Sequence, residues 1–199
     1  MPKTTESIKV ERRFYLGYGH KRYENIVSLL SDIGQLLRSE FVSQTFLRTK
    51  HRKGAQAYLC SNQMKDVTQQ VTDEVFTHIR KWDDPTSAYP IIVEHIVKHE
   101  QYADIYATSR DHSRKPMSIL RKTFDMDAGM LLLDTYPTLD DVLTIAIRFD
   151  DVEKARAFDL PDPLVRFVID EITATKAWTT RIIASNGLPS GALRPAYQE

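Results

Sequence analysis

The segment that most constrains this fold runs from Val142 to Phe149. Leu143, Ile145, Ile147 and Phe149 alternate there with Val142, Thr144, Ala146 and Arg148. A period of two sends the two sets to opposite faces of a β-strand. The first set needs a packed apolar layer. Arg148 therefore faces the other way, beside Ala146 and Thr144, with no other charge between Leu143 and Phe149. If that other side is also enclosed, the guanidinium needs anionic partners, because an unpaired buried charge costs on the order of several kcal/mol.

The flanking sequence is organised in the same way. Ser118–Phe124 (S-I-L-R-K-T-F) and Gly129–Tyr136 (G-M-L-L-L-D-T-Y) read as strands, and Asp150 and Asp151 open a short helix over Val152–Phe158. Ile8–Leu16 alternates as well. Ile8, Val10, Phe14 and Leu16 share one face, interrupted by Arg12, and Lys9, Glu11, Arg13 and Tyr15 share the other. Three charges on one strand face fit either a solvated sheet surface or the wall of a polar cavity. The spacing of Ile26, Leu29, Leu30, Ile33, Leu36 and Leu37 predicts a helix over Arg22–Arg38, weakened at Gly34 by about 1 kcal/mol. Phe41–Lys50 reads as a strand with Gln44, Phe46 and Arg48 on one side.

Further strands are expected at Gln56–Cys60, Val67–Ile79 and Pro90–Val97, with a helix over Lys98–Ser109. The four-residue spacing of Val67, Val71 and Val75 fits a helix equally well. The basic turn Lys50–Lys53 is either an exposed hairpin loop or a lip that steers anions. From Asn186 the chain is polar with interspersed Gly and Pro, and a mobile tail is expected.

Length and charge exclude some classes. The 199 residues suit one domain over 1–185 with a tail over 186–199. Twenty-seven basic and 27 acidic residues cancel, so wholesale attraction to nucleic acid or membrane is not expected. The single Cys60 cannot form an internal disulfide, which points to a reducing, cytoplasmic compartment. No apolar run approaches membrane-spanning length. His95 and His99 straddle an expected strand-to-helix boundary and do not suggest a metal site. There is no Gly-rich phosphate loop, nucleophile elbow or dinucleotide fingerprint.

The order of these elements carries a resemblance. A basic strand, a strand ending with the lone Asp134, a strand closing on Phe149 and a short helix with Ala-x-x-Phe spacing resemble the second half of a CYTH domain. That is the triphosphate-tunnel family, which includes thiamine triphosphatases, class IV adenylyl cyclases and some RNA triphosphatases. Lys9-Val10-Glu11-Arg12-Arg13 stands where the family has Glu-x-Glu-x-Lys. Gln44-Thr45-Phe46-Leu47 resembles its Gln-x-Tyr-Leu, and Glu94 stands for its acidic strand. The resemblance covers Ile8 to Trp178 and implies an α+β fold, an eight-stranded antiparallel β-barrel with flanking helices. The departures are specific. Ala146 and Arg148 replace the Glu-x-Glu before the closing Phe, and Lys9 replaces the first Glu of the opening motif.

The family's chemistry uses Lys and Arg to hold phosphate oxygens and carboxylates to hold Mg²⁺ or Mn²⁺. The resemblance therefore marks Lys9, Arg13, Arg48, Arg121, Lys122 and Arg148 as ligand-binding candidates. It marks Glu11, Glu94 and Asp134 as candidate catalytic and metal-holding groups. A unit charge at about 4 Å from another is worth about 4 kcal/mol at an effective dielectric of about 20. Placing Arg where a Glu ligand belongs thus swings the local energy by on the order of 10 kcal/mol against a divalent ion.

Three readings follow. The tunnel binds a nucleotide, another phosphorylated small molecule or an RNA 5′ end, with hydrolysis weakened or lost and no cofactor. Alternatively it is an active triphosphatase using Mg²⁺ or Mn²⁺. The third reading is a non-catalytic scaffold for a protein partner.

Overall fold

The computed structural model describes residues 6–49, 55–65, 71–83, 89–173, 175–189 and 192. Eight strands close into an antiparallel barrel. They are β1 (Glu6–Tyr18), β2 (Gln35–Phe46), β3 (Gln56–Lys65), β4 (Val71–Asp83), β5 (Pro90–Val97), β6 (Met117–Met126), β7 (Gly129–Tyr136) and β8 (Val142–Phe149). Their order is β5-β4-β3-β2-β6-β7-β8-β1, and β1 pairs with β5 to complete the ring. A two-residue strand, β9 (Asp170–Glu171), also pairs with β1. The helices are α1 (His20–Ile33), α2 (His99–Ser109), α3 (Val152–Ala157), α4 (Asp162–Val165) and α5 (Thr180–Asn186).

Strand alternation divides the apolar residues into two cores. Outside the barrel, Val10, Phe14, Leu143, Ile145, Ile147 and Phe149 pack with Ile26 and Leu30 of α1, Ala155 of α3 and Leu164 of α4. Inside, Tyr15, Phe46, Tyr58, Ile119, Tyr136 and Val142 form a second cluster with Trp178 and Ile183. The Trp178 ring lies 4.4 Å from that of Tyr15. The C-terminal segment thus caps an apolar portion of the barrel. Inward polar residues occupy the remainder.

Arg12, which interrupts the apolar face of β1, is accommodated at the edge of the outer core. It donates to both carboxylate oxygens of Glu171 at 3.0 and 2.8 Å and to the Phe158 carbonyl at 2.6 Å.

The expected helix over Arg22–Arg38 is corrected. It ends at Ile33, and the chain enters β2 at Gln35. Gly34 is extended and closes the helix by donating its N–H to Leu30 at 3.0 Å. Leu36 and Leu37 fit the helical stripe by spacing, yet they are 43% and 49% exposed at the start of β2. The reason is a close approach: a Cβ on Gly34 would lie 2.9 Å from the Asp125 carbonyl oxygen of β6. Gly34→Ala should therefore destabilise the chain by about 1–3 kcal/mol. Urea denaturation checks this, and an unchanged midpoint would contradict the close-packing account.

β4 is a strand from Val71 to Asp83, so the helical alternative fails for those residues. Its expected beginning at 67–70 lies outside the described residues. So do the basic turn Lys50–Lys53 and most of the tail expected from 186 onward.

Candidate functional site

Alternation in β1, β4, β6, β7 and β8 builds a charged cluster inside the barrel. β1 directs Glu11 and Arg13 inward, only 5% and 9% exposed, so the solvated-surface alternative for this face is excluded at those positions. β8 directs Arg148 inward beside Ala146, and the backbone register places Arg148 opposite Glu11. β6 and β7 place Arg121 opposite Asp134. β4 brings Lys81 into the same space.

Charge pairing is dense. Lys81 donates to Glu11 Oε1 at 2.8 Å, and the Arg13 Nε lies 3.9 Å from that oxygen. Arg148 Nε lies 3.5 Å from Glu11 Oε2, while its Nη1 donates to Glu94 Oε2 at 3.1 Å. Arg121 grips Asp134 with two parallel bonds of 2.7 and 2.8 Å. Arg13 Nη2 donates to the Tyr136 hydroxyl at 3.0 Å. Four cations (Arg13, Lys81, Arg121, Arg148) thus face three carboxylates (Glu11, Glu94, Asp134), leaving one positive charge in excess.

These contacts set the protonation states. Burial pushes the Glu11 carboxyl up, but Lys81, Arg13 and Arg148 together overcome it and hold the group well below its ordinary range. Burial pulls the Lys81 ammonium below its usual value, against the attraction of Glu11. Burial pushes the Cys60 thiol up to about 12, so this wall residue is a neutral thiol rather than a nucleophile. A carboxyl with a depressed folded-state pKa contributes stability that is complete above its ordinary value near 4.5. That contribution is lost progressively as pH falls below 4.5 toward the depressed value. Acid titration of the melting temperature should show a steep loss in that window. In Glu11→Gln the loss should be shallower, and an identical slope would remove Glu11 from the account.

The candidates named from sequence do not all converge. Glu11, Arg13, Arg121, Asp134 and Arg148 line a common central cavity, and Glu94 reaches it through its bond to Arg148. Lys9 sits at the rim, paired with Asp150. Lys122 follows Arg121 in the same strand, so it points to the outer face and donates to Ser39 at 3.1 Å. Arg48 lies beyond the end of β2 and donates to the Thr108 carbonyl at 2.7 Å. The anionic partners that an enclosed Arg148 needs are Glu11 and Glu94, because Asp134 is taken by Arg121.

Lys81 was missed. The strand expected over Val67–Ile79 stops two residues short of it, whereas β4 runs on to Asp83. Its parity with inward Ile79 in a strand reaching Asp83 was the available clue.

The carboxylates do not fit a divalent ion in this arrangement. No group of three or more metal-ligating side chains gathers among the described residues. Glu11 has three cations within 4 Å, and both oxygens of Asp134 are bonded to Arg121. A metal at Glu11 would face that repulsion directly.

The central cavity is small, about 60 Å³. That is on the order of four or five water positions, comparable with one tetrahedral phosphoryl group. On one side, at Arg148, it meets a mouth of about 1070 Å³. On the other it meets a cavity of about 400 Å³ beneath the C-terminal segment, sharing Arg13, Gln56, Lys81 and Thr179 with it.

No family model matches the sequence, and no curated protein matches it. Solved structures do share its fold. The PH1819 protein of Pyrococcus horikoshii is 12% identical, with a TM-score of 0.52 over 79% of this chain and 82% of its own. A candidate adenylate cyclase of Vibrio parahaemolyticus is 16% identical, with a TM-score of 0.51 over 75% and 81%. A chain of the Schizosaccharomyces pombe Mediator head module is 11% identical, with a TM-score of 0.51 over 80% and 89%. The closed eight-stranded antiparallel barrel with few helices is the triphosphate-tunnel fold of CYTH proteins. No helix among the described residues is long and apolar enough to cross a membrane.

Proposed function

We propose that this barrel binds a phosphorylated small molecule through Arg13, Lys81, Arg121 and Arg148 without a metal ion, and that triphosphate hydrolysis is weakened or lost. One observation carries this reading: an enclosed cluster with a cation in excess, in which Glu11, Glu94 and Asp134 are each already held by Arg or Lys. Phosphate oxygens suit these donors, since charge-assisted bonds from guanidinium and ammonium are the strong ones. An incoming phosphoryl group takes Arg148 and Lys81 in exchange for their carboxylate partners.

The direct experiment is calorimetry with inorganic triphosphate and with ATP in the presence of EDTA, alongside a phosphate-release assay with Mg²⁺ or Mn²⁺. Binding without metal and no release is the expected result. Rapid release that disappears in Glu11→Ala would instead establish an active triphosphatase.

A second reading, a scaffold for a protein partner, draws on the small central cavity and on the use of this fold in the Mediator head module. Failure of the folded protein to bind either phosphate probe leaves that reading in place of the first.

A further inference from the structure

The two mouths of the tunnel differ in charge. The larger, at Arg148, carries Lys9, Arg38 and Lys154 besides that residue. Against them stand Glu94, Asp125, Asp127, Asp150 and Asp159. Asp150 is paired with Lys9 and lies 3.7 Å from Lys154. This side has one negative charge in excess. The smaller mouth is built largely by the segment that runs into α5. Among the described residues, Arg13, Lys81, Lys176 and Arg181 line it against Asp83, and Glu11, held by Lys81 and Arg13, lies just inside. Arg181 also lies 3.7 Å from Asp111, outside the lining set. With Glu11 and Asp111 counted beside Asp83, the described residues of this side keep one positive charge in excess, and Lys176 carries it without a carboxylate partner among them.

We infer that the C-terminal mouth is the ligand's own site. A phosphorylated small molecule enters there, sends one phosphoryl group inward to Arg13 and Lys81, and rests its body in the 400 Å³ cavity. This deepens the proposed function and rests on it. The volume lies within the range of about 300–1,000 Å³ typical of small-molecule sites. The wall has both characters such a ligand needs, with cations at one side and Pro90, Ile172, Trp178 and Ile182 at the other. Arg13 and Lys81 line both this cavity and the central one, so a phosphoryl group bound between them spans the junction. Field lines from a cleft of one sign draw an anion in and raise its association rate. The opposite mouth supplies no such pull.

The test measures association rate constants for ATP and inorganic triphosphate by stopped-flow, at low and high salt. Lys176 is exposed, so Lys176→Glu leaves the fold intact. It should slow association about three- to tenfold at low salt, and the difference should vanish at high salt. Lys154→Glu, at the other mouth, should change the rate less than about twofold. Arg181→Gln should slow association in the same sense as Lys176→Glu. Because Arg181 also contacts Thr49 and the Ala55 carbonyl, its melting temperature is measured alongside. If Arg181→Gln does not fold, Lys176→Glu decides the matter. Wild-type binding with rates sensitive to Lys154 and not to Lys176 overturns this assignment and leaves the tunnel reading standing. No binding of either probe to the wild type removes both.

Discussion

Glu11→Gln is expected to lower the stability of this chain by about 3–5 kcal/mol, the cost of stripping one partner from a buried ionic cluster. Among the described residues, Glu11 is the single carboxylate that Lys81, Arg13 and Arg148 all approach within 4 Å. Of these, Arg148 keeps Glu94 and Arg13 keeps the Tyr136 hydroxyl, but Lys81 is left buried without its 2.8 Å partner. For a chain of this length each kcal/mol moves the melting temperature by roughly 2–4 °C. A fall of about 6–20 °C should be read by calorimetry. Inorganic triphosphate in the buffer should recover more of that loss in the variant than it adds to the wild type, because an anion then supplies the missing charge. A melting temperature within about 2 °C of wild type would show that Glu11 does not neutralise the cluster.

Arg148→Glu is the second large change, because it reverses the charge at a position where the CYTH motif that this sequence resembles carries Glu. The guanidinium now bonds Glu94 at 3.1 Å and lies 3.5 Å from Glu11. Exchanging it for a carboxylate collects three acidic side chains around one point and removes one of the cations that oppose a metal there. Calorimetry should detect Mn²⁺ binding in the variant and none in the wild type. Triphosphate binding in EDTA should fall at least tenfold. Arg148→Ala separates the two effects. It should weaken triphosphate binding by about 1.5–3 kcal/mol, the range for hydrogen bonds to charged groups, without creating a metal site. Unchanged triphosphate affinity in both variants would place the ligand elsewhere.

Much of the cluster was legible because side-chain direction in a strand follows local parity. The apolar set Leu143, Ile145, Ile147 and Phe149 forced Arg148 to the opposite face, and the charged face of Ile8–Leu16 put Glu11 and Arg13 together. Parity also had the power to exclude Lys122 once Arg121 was placed inside, since neighbours on a strand face opposite ways. Arg48 lies apart from the cavity for a different reason. Its parity with Gln44 and Phe46 was sound, but β2 ends at Phe46 and the rule ends with it. Leu36 and Leu37 fitted a helical stripe by spacing alone. What overrode that spacing was Gly34 lying against the Asp125 carbonyl of a strand some ninety positions away.

By itself the sequence determined the alternating strands, the shared face of Glu11 and Arg13, and the placing of Arg148 opposite its apolar neighbours. These follow from local periodicity and residue identity. Tertiary structure alone decided the partners: Lys81 for Glu11, Glu94 for Arg148, and both oxygens of Asp134 for Arg121. It also decided that the two mouths differ in charge and that the chain between Ile172 and Ile182 forms one of them. Such facts depend on the closure of β1 against β5 and on the return of the C-terminal segment to the barrel. Both bring together residues far apart in sequence, and the attraction between two charges is set by the distance across that space rather than by their separation along the chain.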